Sequence, residues 1–87
     1  MELTGKIIKL NNPVTGNGAK GDWIKHEFVL ETEDAYPKPI CITIFNKPEL
    51  AAKIDLNARV KVSINIESSE YNNRWYTEVK AWKIEQV

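Results

Sequence analysis

Aromatic residues stand beside basic residues at several points of the sequence. Trp23 and Lys25 fall on one side of an alternating segment, at the mouth of a glycine-rich stretch, and Phe45, Tyr71 and Tyr76 follow further along. Flat rings stack on planar ligands such as nucleobases, and each stacked base contributes about 1–3 kcal/mol. The pattern therefore favours a platform for an unpaired nucleic-acid strand, although the same rings would also serve to cover a small core.

The basic residues predict how strongly such a platform would attract phosphate. Twelve Lys and Arg balance twelve Asp and Glu, so the net charge is zero. That balance argues against non-specific binding of duplex DNA and predicts a shallow salt dependence. An acidic excess lies in the middle third, within residues 26–50. The candidate phosphate contacts are Lys20, Lys25, Arg59, Lys61 and Arg74.

Other reactive side chains do not form a pattern that catalysis requires. His26 is the only histidine and Cys41 the only cysteine, so neither a triad, a zinc site nor an intrachain disulfide is indicated. The acidic run at 31–34 lacks the spacing of a calcium loop, and the glycines of residues 11–22 lack that of a nucleotide-binding loop. We expect no enzyme activity, no metal and no cofactor.

Length and composition indicate one small folded domain covering residues 1–87. Apolar residues make up 43% and charged residues 28%, which is typical of a globular protein. The N-terminal segment has no apolar run of signal-peptide length, and no stretch approaches the roughly 20 apolar residues of a membrane-spanning helix. We therefore expect a cytoplasmic protein without a membrane partner.

The N-terminal quarter predicts one bent strand and one long loop. Leu3–Leu10 is β-prone, and the adjacent Ile7 and Ile8, with Gly5 before them, indicate a bulge or a sharp bend. Asn11–Asp22 contains three glycines and a proline and is interpreted as a mobile loop.

Alternating apolar residues predict four further strands, over 23–32, 40–45, 59–66 and 74–85. Asn46, followed by a proline and a glutamate, is typical of a capped helix start, which predicts a short helix through residue 54.

The two late tryptophans, Trp75 and Trp82, fall on opposite faces if the last strand is regular. We expect Trp75 in the core beside Thr77 and Val79, whereas the position of Trp82 stays open.

The order of elements indicates the fold class. Three strands, a short helix and two strands predict an all-β, five-stranded antiparallel Greek-key OB barrel with the helix between strands 3 and 4. An SH3-like barrel is the main alternative, but it leaves that helix unexplained.

Three segments resemble the OB domain of bacterial single-stranded DNA-binding proteins across nearly the whole chain. Phe28–Thr32 is similar to the family's F-x-L-x-T strand, Phe45–Lys47 to its F-G-K segment, and Arg74–Val79 to its closing R-Y-T-T-E-V strand. The W-Y-T-E-V-x-A-W-K ending resembles still more closely a small, uncharacterised bacterial family of one-domain OB proteins.

The resemblance implies roles for individual residues. Phe45 falls where the family uses a base-stacking phenylalanine, Tyr36 falls near a stacking tryptophan, and Tyr71 lies in a hairpin where another aromatic residue stacks. The sequence departs from the family at Pro39, where a third-strand tryptophan is expected. We also expect no acidic tail of the family's kind after Val87.

The hypothesis from the sequence is binding of single-stranded DNA or RNA with low sequence specificity. The alternative is a module for protein interaction or homo-oligomer formation, because OB surfaces serve unrelated functions. The predicted nucleic-acid contacts are Trp23, Lys25, Tyr36, Phe45, Tyr71, Arg74, Tyr76, Lys20 and Lys61.

Overall fold

The computed structural model describes residues 1–87 as six strands and one very short helix. The elements are β1 (Glu2–Leu10), β2 (Val14–Gly18), β3 (Gly21–Thr32), β4 (Pro39–Phe45), α1 (Pro48–Ala51), β5 (Arg59–Tyr71) and β6 (Arg74–Gln86). The all-β class is confirmed, but the predicted count of five strands is wrong. No helix in the structure is long and apolar enough to cross a membrane.

The additional strand is β2, which lies inside the segment interpreted as a mobile loop. It pairs with the start of β3 from Val14 to Gly18, and Ala19 and Lys20 form the two-residue turn between the strands. Gly21 closes this turn with φ of 111°, a conformation that glycine adopts without steric cost. The glycines that indicated a loop therefore belong to a β-hairpin, which we call the β2–β3 arm.

β1 bends so that its two halves pair with different strands. Its first half pairs with β5 and its second half with β3, and Ile8 is an unpaired bulge residue between Ile7 and Lys9. Gly5 lies at the crossing, where the Glu31 carbonyl oxygen leaves no room for a side chain. The bend predicted from this part of the sequence is confirmed.

The six strands form one mixed sheet in the order β1-β5-β6-β4-β3-β2, with the additional β1–β3 pairing. All pairings are antiparallel except that between β4 and β6, where Thr43 and Lys80 form a single parallel pair. The sheet therefore curves around one core, and the seam between β4 and β6 is its narrowest pairing.

The core is formed by side chains on the concave face of this sheet and by Leu50 of α1. Its buried apolar residues are Ile7, Phe28, Leu30, Ile42, Ile44, Leu50, Val60, Val62, Ile64, Ala81 and Ile84. The alternation predicted for these strands holds where they cross the core, at Phe28 and Leu30 of β3, Ile42 and Ile44 of β4, and Val60, Val62 and Ile64 of β5.

The helix ends earlier than the sequence predicts, and its N-cap residue is not the predicted one. α1 has four residues, its N-cap position is Lys47, and no side chain caps it. Asn46 cannot serve as the cap because its side-chain oxygen accepts a hydrogen bond from the Ile24 amide, at 2.8 Å. The backbone of Asn46 has φ of 54°, which excludes it from a helical start.

β5 and β6 extend beyond the core as a long hairpin. Its turn consists of Asn72 and Asn73 alone, both with positive φ, as a two-residue hairpin turn of type I′ requires. Trp75 lies near this tip and is 68% exposed, so the prediction that it is buried is wrong. Trp75 lies on the same face of β6 as the buried Ala81. The hairpin, however, extends beyond the core at the position of Trp75.

Candidate nucleic-acid interface

Two aromatic rings form the centre of the convex face. Trp23 and Phe45 have ring centroids 6.0 Å apart and planes tilted by 30°. Their strands bring them together because Phe45 of β4 pairs with Lys25 of β3, so Trp23 lies diagonally across the pair. Phe45 is 44% exposed, a high value for a phenylalanine held beside another ring. The pair is therefore open to a planar ligand.

The β2–β3 arm supports the indole of Trp23 from behind. Gly16 is the cross-strand partner of Trp23, and the indole lies so close to it that a Cβ atom at this position would clash. Gly18 lies near the edge of the same ring. The small residues of β2 thus allow the indole to lie against the arm backbone.

Trp82 adds a third exposed ring on the other side of Phe45. It is the unpaired residue of a β-bulge in β6, because Ser63 pairs with Lys83 and Ile64 with Ala81. Trp82 is 49% exposed and lines a cavity of about 210 Å³ together with Phe45 and Lys80.

Trp82 was not among the predicted contacts, although the sequence contains a signal for its position. Apolar residues stand at 79, 81, 82 and 84, so the period of two is interrupted between 81 and 82. Such an interruption indicates a bulge and directs the residue after Ala81 away from the core.

A second cavity lies between Phe45 and the turn of the β2–β3 arm. Its volume is about 390 Å³, and its walls are the turn residues 18–22, Trp23, Phe45 and Asn46. Phe45 lines this cavity and the one beside Trp82. The three rings therefore border one continuous surface, which we call the aromatic platform (Trp23, Phe45 and Trp82).

Charges around the platform are mixed. Lys20 and Lys47 line the two cavities and form no ion pair. The Lys80 ammonium lies 3.4 Å from Glu67 and 3.5 Å from Glu78, which compete with any phosphate for it. Lys20 and Lys47 are thus available at the two ends of the platform, whereas Lys80 is partly neutralised.

The convex side of the β5–β6 hairpin continues from the platform. Arg74, Tyr76 and Lys80 alternate along β6 on one face, and Tyr71 pairs with Arg74 at the tip. From Trp82 to Arg74 this face extends about 27 Å at about 3.3–3.4 Å per residue. Tyr71, Arg74 and Tyr76 therefore lie on the same side of the sheet as the platform, towards its distal end.

The structure does not bring two of the predicted contacts near the platform. Tyr36 lies in the β3–β4 connection, at the end of these strands opposite Phe45, and is 82% exposed. Lys61 pairs with Thr4 and Glu85 at the end of β5 remote from the hairpin tip, and its ammonium lies 3.5 Å from Glu2. Their part in ligand binding stays a prediction.

The two isolated reactive side chains lie away from the aromatic cavities. Cys41 is exposed on β4, and partial desolvation raises the pKa of its thiol, with a further rise from the Glu27 carboxylate 3.8 Å away. The thiol therefore stays protonated at neutral pH. His26 turns towards the inner side of β3, where its Nδ1 atom is buried without a hydrogen-bond partner.

Comparison with solved structures shows which fold the chain has. It superposes over 100% of its length on 92% of Rim1, a mitochondrial single-stranded DNA-binding protein of S. cerevisiae, with a TM-score of 0.73 and 16% identity. The dimeric N-terminal domain of PriB from Thermoanaerobacter tencongensis gives a TM-score of 0.70 at 24% identity, covering 100% of this chain and 93% of that one. The SSB domain of a Synechococcus protein gives 0.71 at 15% identity, covering 99% and 92%.

At these identities the likeness establishes the fold, which is the OB fold of single-stranded DNA-binding proteins, as the sequence resemblance predicts. No curated protein matches the chain in sequence. The family model described as "Domain of unknown function (DUF3127)" matches residues 2–85. The chain therefore belongs to the DUF3127 family.

Proposed function

We propose that this protein binds single-stranded nucleic acid, with DNA as the first ligand to test, and that it acts by binding and not by catalysis. The observation that carries the proposal is the aromatic platform, in which Trp23, Phe45 and Trp82 border adjoining cavities on the convex face. The bases of a duplex are paired and stacked inside the helix and cannot lie on such a surface, whereas an unpaired strand exposes them.

Stacking would supply most of the affinity. Each base stacked on an aromatic ring contributes about 1–3 kcal/mol, so the platform accounts for a sequence-tolerant interaction. Phosphate contacts would add less, because only Lys20 and Lys47 line the two cavities without an ion pair, while Lys80 is held by Glu67. We therefore expect micromolar affinity and a salt slope of about 0.7 for each phosphate neutralised.

The three tryptophans provide an internal test, because their fluorescence reports on ligand binding at different faces of the sheet. Trp23 and Trp82 belong to the platform, whereas Trp75 lies on the opposite face of the β5–β6 hairpin. Titration with oligo-dT at low salt should quench tryptophan fluorescence. Trp75→Phe should leave the quenched intensity unchanged, while Trp23→Phe and Trp82→Phe should each remove part of it.

Other outcomes would contradict the proposal or redirect it. Absence of quenching and of a mobility shift at micromolar protein concentration, for both oligo-dT and oligo-U, would exclude nucleic-acid binding at this site. Quenching confined to the fluorescence of Trp75 would place the ligand on the other face. Tighter binding of oligo-U than of oligo-dT would make RNA the preferred ligand.

The proposed function also requires that the curved sheet is closed into a barrel. We propose that β1, β3, β4, β5 and β6 close into a barrel, with the β2–β3 arm as an appendage that holds Trp23. The closure depends on the short β4–β6 seam, beside Phe45 and Trp82. Slow hydrogen exchange at the amides of this seam would support closure, and exchange as fast as that of the hairpin tip would contradict it.

A second candidate function is self-association through the other side of the β5–β6 hairpin. Ile66 and Trp75 are 52% and 68% exposed there, and the only charged residue that shares their face is Glu70. A face without cations suits a protein partner and not a phosphate backbone. Light scattering should then give a dimer that Ile66→Asn converts to monomer, whereas a monomer for the unaltered chain up to about millimolar concentration would contradict this candidate.

A further inference from the structure

Asn46 occupies an unusual position at the end of β4. Its φ of 54° lies in the left-handed region, which glycine adopts without cost and asparagine tolerates better than most residues. Its backbone amide donates to the Ile24 carbonyl oxygen at 2.9 Å, and its Oδ1 accepts from the Ile24 amide at 2.8 Å. Asn46 thus continues the β3–β4 hydrogen-bond ladder by one residue, partly with its side chain.

These hydrogen bonds fix the orientation of the side-chain amide. The Ile24 amide is a donor, so the atom facing it must be the oxygen, and the NH₂ group must point elsewhere. That NH₂ group has no acceptor within the protein. Asn46 therefore holds two unused N–H donors in a preset direction.

The surroundings of Asn46 indicate what those donors face. Asn46 lines the cavity of about 390 Å³ between Phe45 and the β2–β3 arm, and also a neighbouring cavity of about 480 Å³ beside Thr15, Asp22 and Trp23. Trp23 lines both cavities as well. A residue with unused hydrogen-bond donors thus lines both cavities beside Trp23.

We propose that Asn46 reads the edge of the base stacked at Trp23 and Phe45, donating from its Nδ2 to a pyrimidine carbonyl oxygen of thymine or uracil. This inference rests on the proposed function and adds a base preference to it. Adenine presents an amino group at the corresponding edge, which would face the NH₂ of Asn46 donor to donor. The platform is then selective for pyrimidine carbonyls at one subsite and tolerant elsewhere.

A glycine would satisfy the backbone at this position, so the side chain itself is what Asn46 contributes. One of its polar atoms extends the β-ladder, and the other remains free at the edge of the platform. A neutral hydrogen bond of this kind is expected to give roughly a 3- to 10-fold preference, which corresponds to about 0.7–1.4 kcal/mol.

Two substitutions separate the contact with the base from the contact with Ile24. Asn46→Asp keeps an oxygen that accepts from the Ile24 amide but replaces the NH₂ donor. Asn46→Gly keeps the positive φ and removes the whole side chain. Each variant is titrated with oligo-dT and with a matched oligonucleotide containing difluorotoluene, which has the shape of thymine but accepts hydrogen bonds very poorly. Thermal unfolding of both variants checks that they are folded.

The expected result is a preference of the unaltered protein for thymine over difluorotoluene by roughly 3- to 10-fold. Both variants should bind the two oligonucleotides within about twofold of each other. A preference that persists in both variants, or equal binding of the two oligonucleotides by the unaltered protein, would overturn the role of Asn46. Failure of the unaltered protein to bind either oligonucleotide would instead overturn the proposed function.

Discussion

The indole of Trp23 lies against Gly16, its cross-strand partner in the β2–β3 arm, so closely that no Cβ atom fits between them. This contact sets the distance of the indole from the arm. It thereby sets the 6.0 Å separation and the tilt between Trp23 and Phe45. A glycine that resembles a loop residue in the sequence is thus part of the support for the aromatic platform.

Gly16→Ala should therefore weaken nucleic-acid binding. The new methyl group displaces the indole from Phe45, and we expect about a tenfold loss of oligo-dT affinity, within the range for one stacked base. Gly18→Ala is the matched control, because a Cβ atom there would lie 3.6 Å from the Trp23 ring, an ordinary contact. Fluorescence titration of both variants measures the difference, and equal affinities would show that Gly16 does not position the ring.

Neutralising Glu67 should strengthen binding. Lys80 lines the platform cavity, and its ammonium lies 3.4 Å from Glu67. Glu67→Gln removes one of the two carboxylates that hold this ammonium, since Glu78 remains, so we expect about a 2- to 5-fold gain in affinity at low salt and a salt slope steeper by up to about 0.7.

The control for this gain is Glu85→Gln, which makes the same change in net charge elsewhere. Glu85 pairs with Lys83 at 2.8 Å, and Lys83 lines none of the three cavities. An equal gain from both variants would mean that net charge, and not Lys80, controls the affinity.

The sequence predicts the parts of this fold that follow a regular period, and it fails where the period is interrupted. The core positions of β3 and β5 could be predicted from alternation, and the bend of β1 from Gly5 and the paired isoleucines. The arm was missed because Gly16 is required by a contact with Trp23 across the strands, which no local rule expresses.

The arrangement of the candidate site could be predicted in part for the same reason, while the role of its residues stays a prediction. Trp23, Lys25 and Phe45 come together because their strands are adjacent and regular. The position of Trp82 stayed open because a bulge changes the face of the strand on which it lies. Trp75 was predicted in the core because alternation does not show where a hairpin extends beyond the core. Asn46 was taken for a helix cap because its bond to Ile24 joins residues 22 positions apart.

The ion pair between Arg59 and Glu33 should make a pH-dependent contribution to stability. The guanidinium donates two hydrogen bonds, at 2.6 and 2.9 Å, and lowers the pKa of the Glu33 carboxyl from its usual 4.5. A carboxyl with a lowered pKa in the folded state stabilises the protein above its ordinary pKa, and that stability is lost as the pH falls through the folded value.

Glu33→Gln should accordingly lower the melting temperature slightly at pH 7, and this difference should shrink as the pH falls below 4.5. The effect at pH 7 is small because both side chains are exposed to solvent. Glu70→Gln is the control, since Glu70 forms no ion pair. A difference between Glu33→Gln and the unaltered protein that is as large at pH 3 as at pH 7 would contradict the electrostatic explanation.

The path of the bound strand can be tested at Tyr36, which the family resemblance implies as a stacking residue. Phe45 and Pro39 stand six residues apart on β4, or about 20 Å, and Tyr36 lies in the loop beyond Pro39. A short oligonucleotide seated on the platform does not reach that loop, whereas a longer one directed along β3 and β4 does.

We therefore expect Tyr36→Ala to leave the affinity for an oligo-dT of about 6 nucleotides unchanged and to lower that for one of about 20 nucleotides by roughly threefold or more. Phe45→Ala should weaken both to a similar degree, because the platform is used at either length. If Tyr36→Ala affects neither length, the strand leaves the platform along the β5–β6 hairpin, and Arg74→Ala and Tyr76→Ala should then show the length dependence instead. This result would follow from the alignment of Arg74, Tyr76 and Lys80 on the convex face of β6, which offers the strand a second route about 27 Å long.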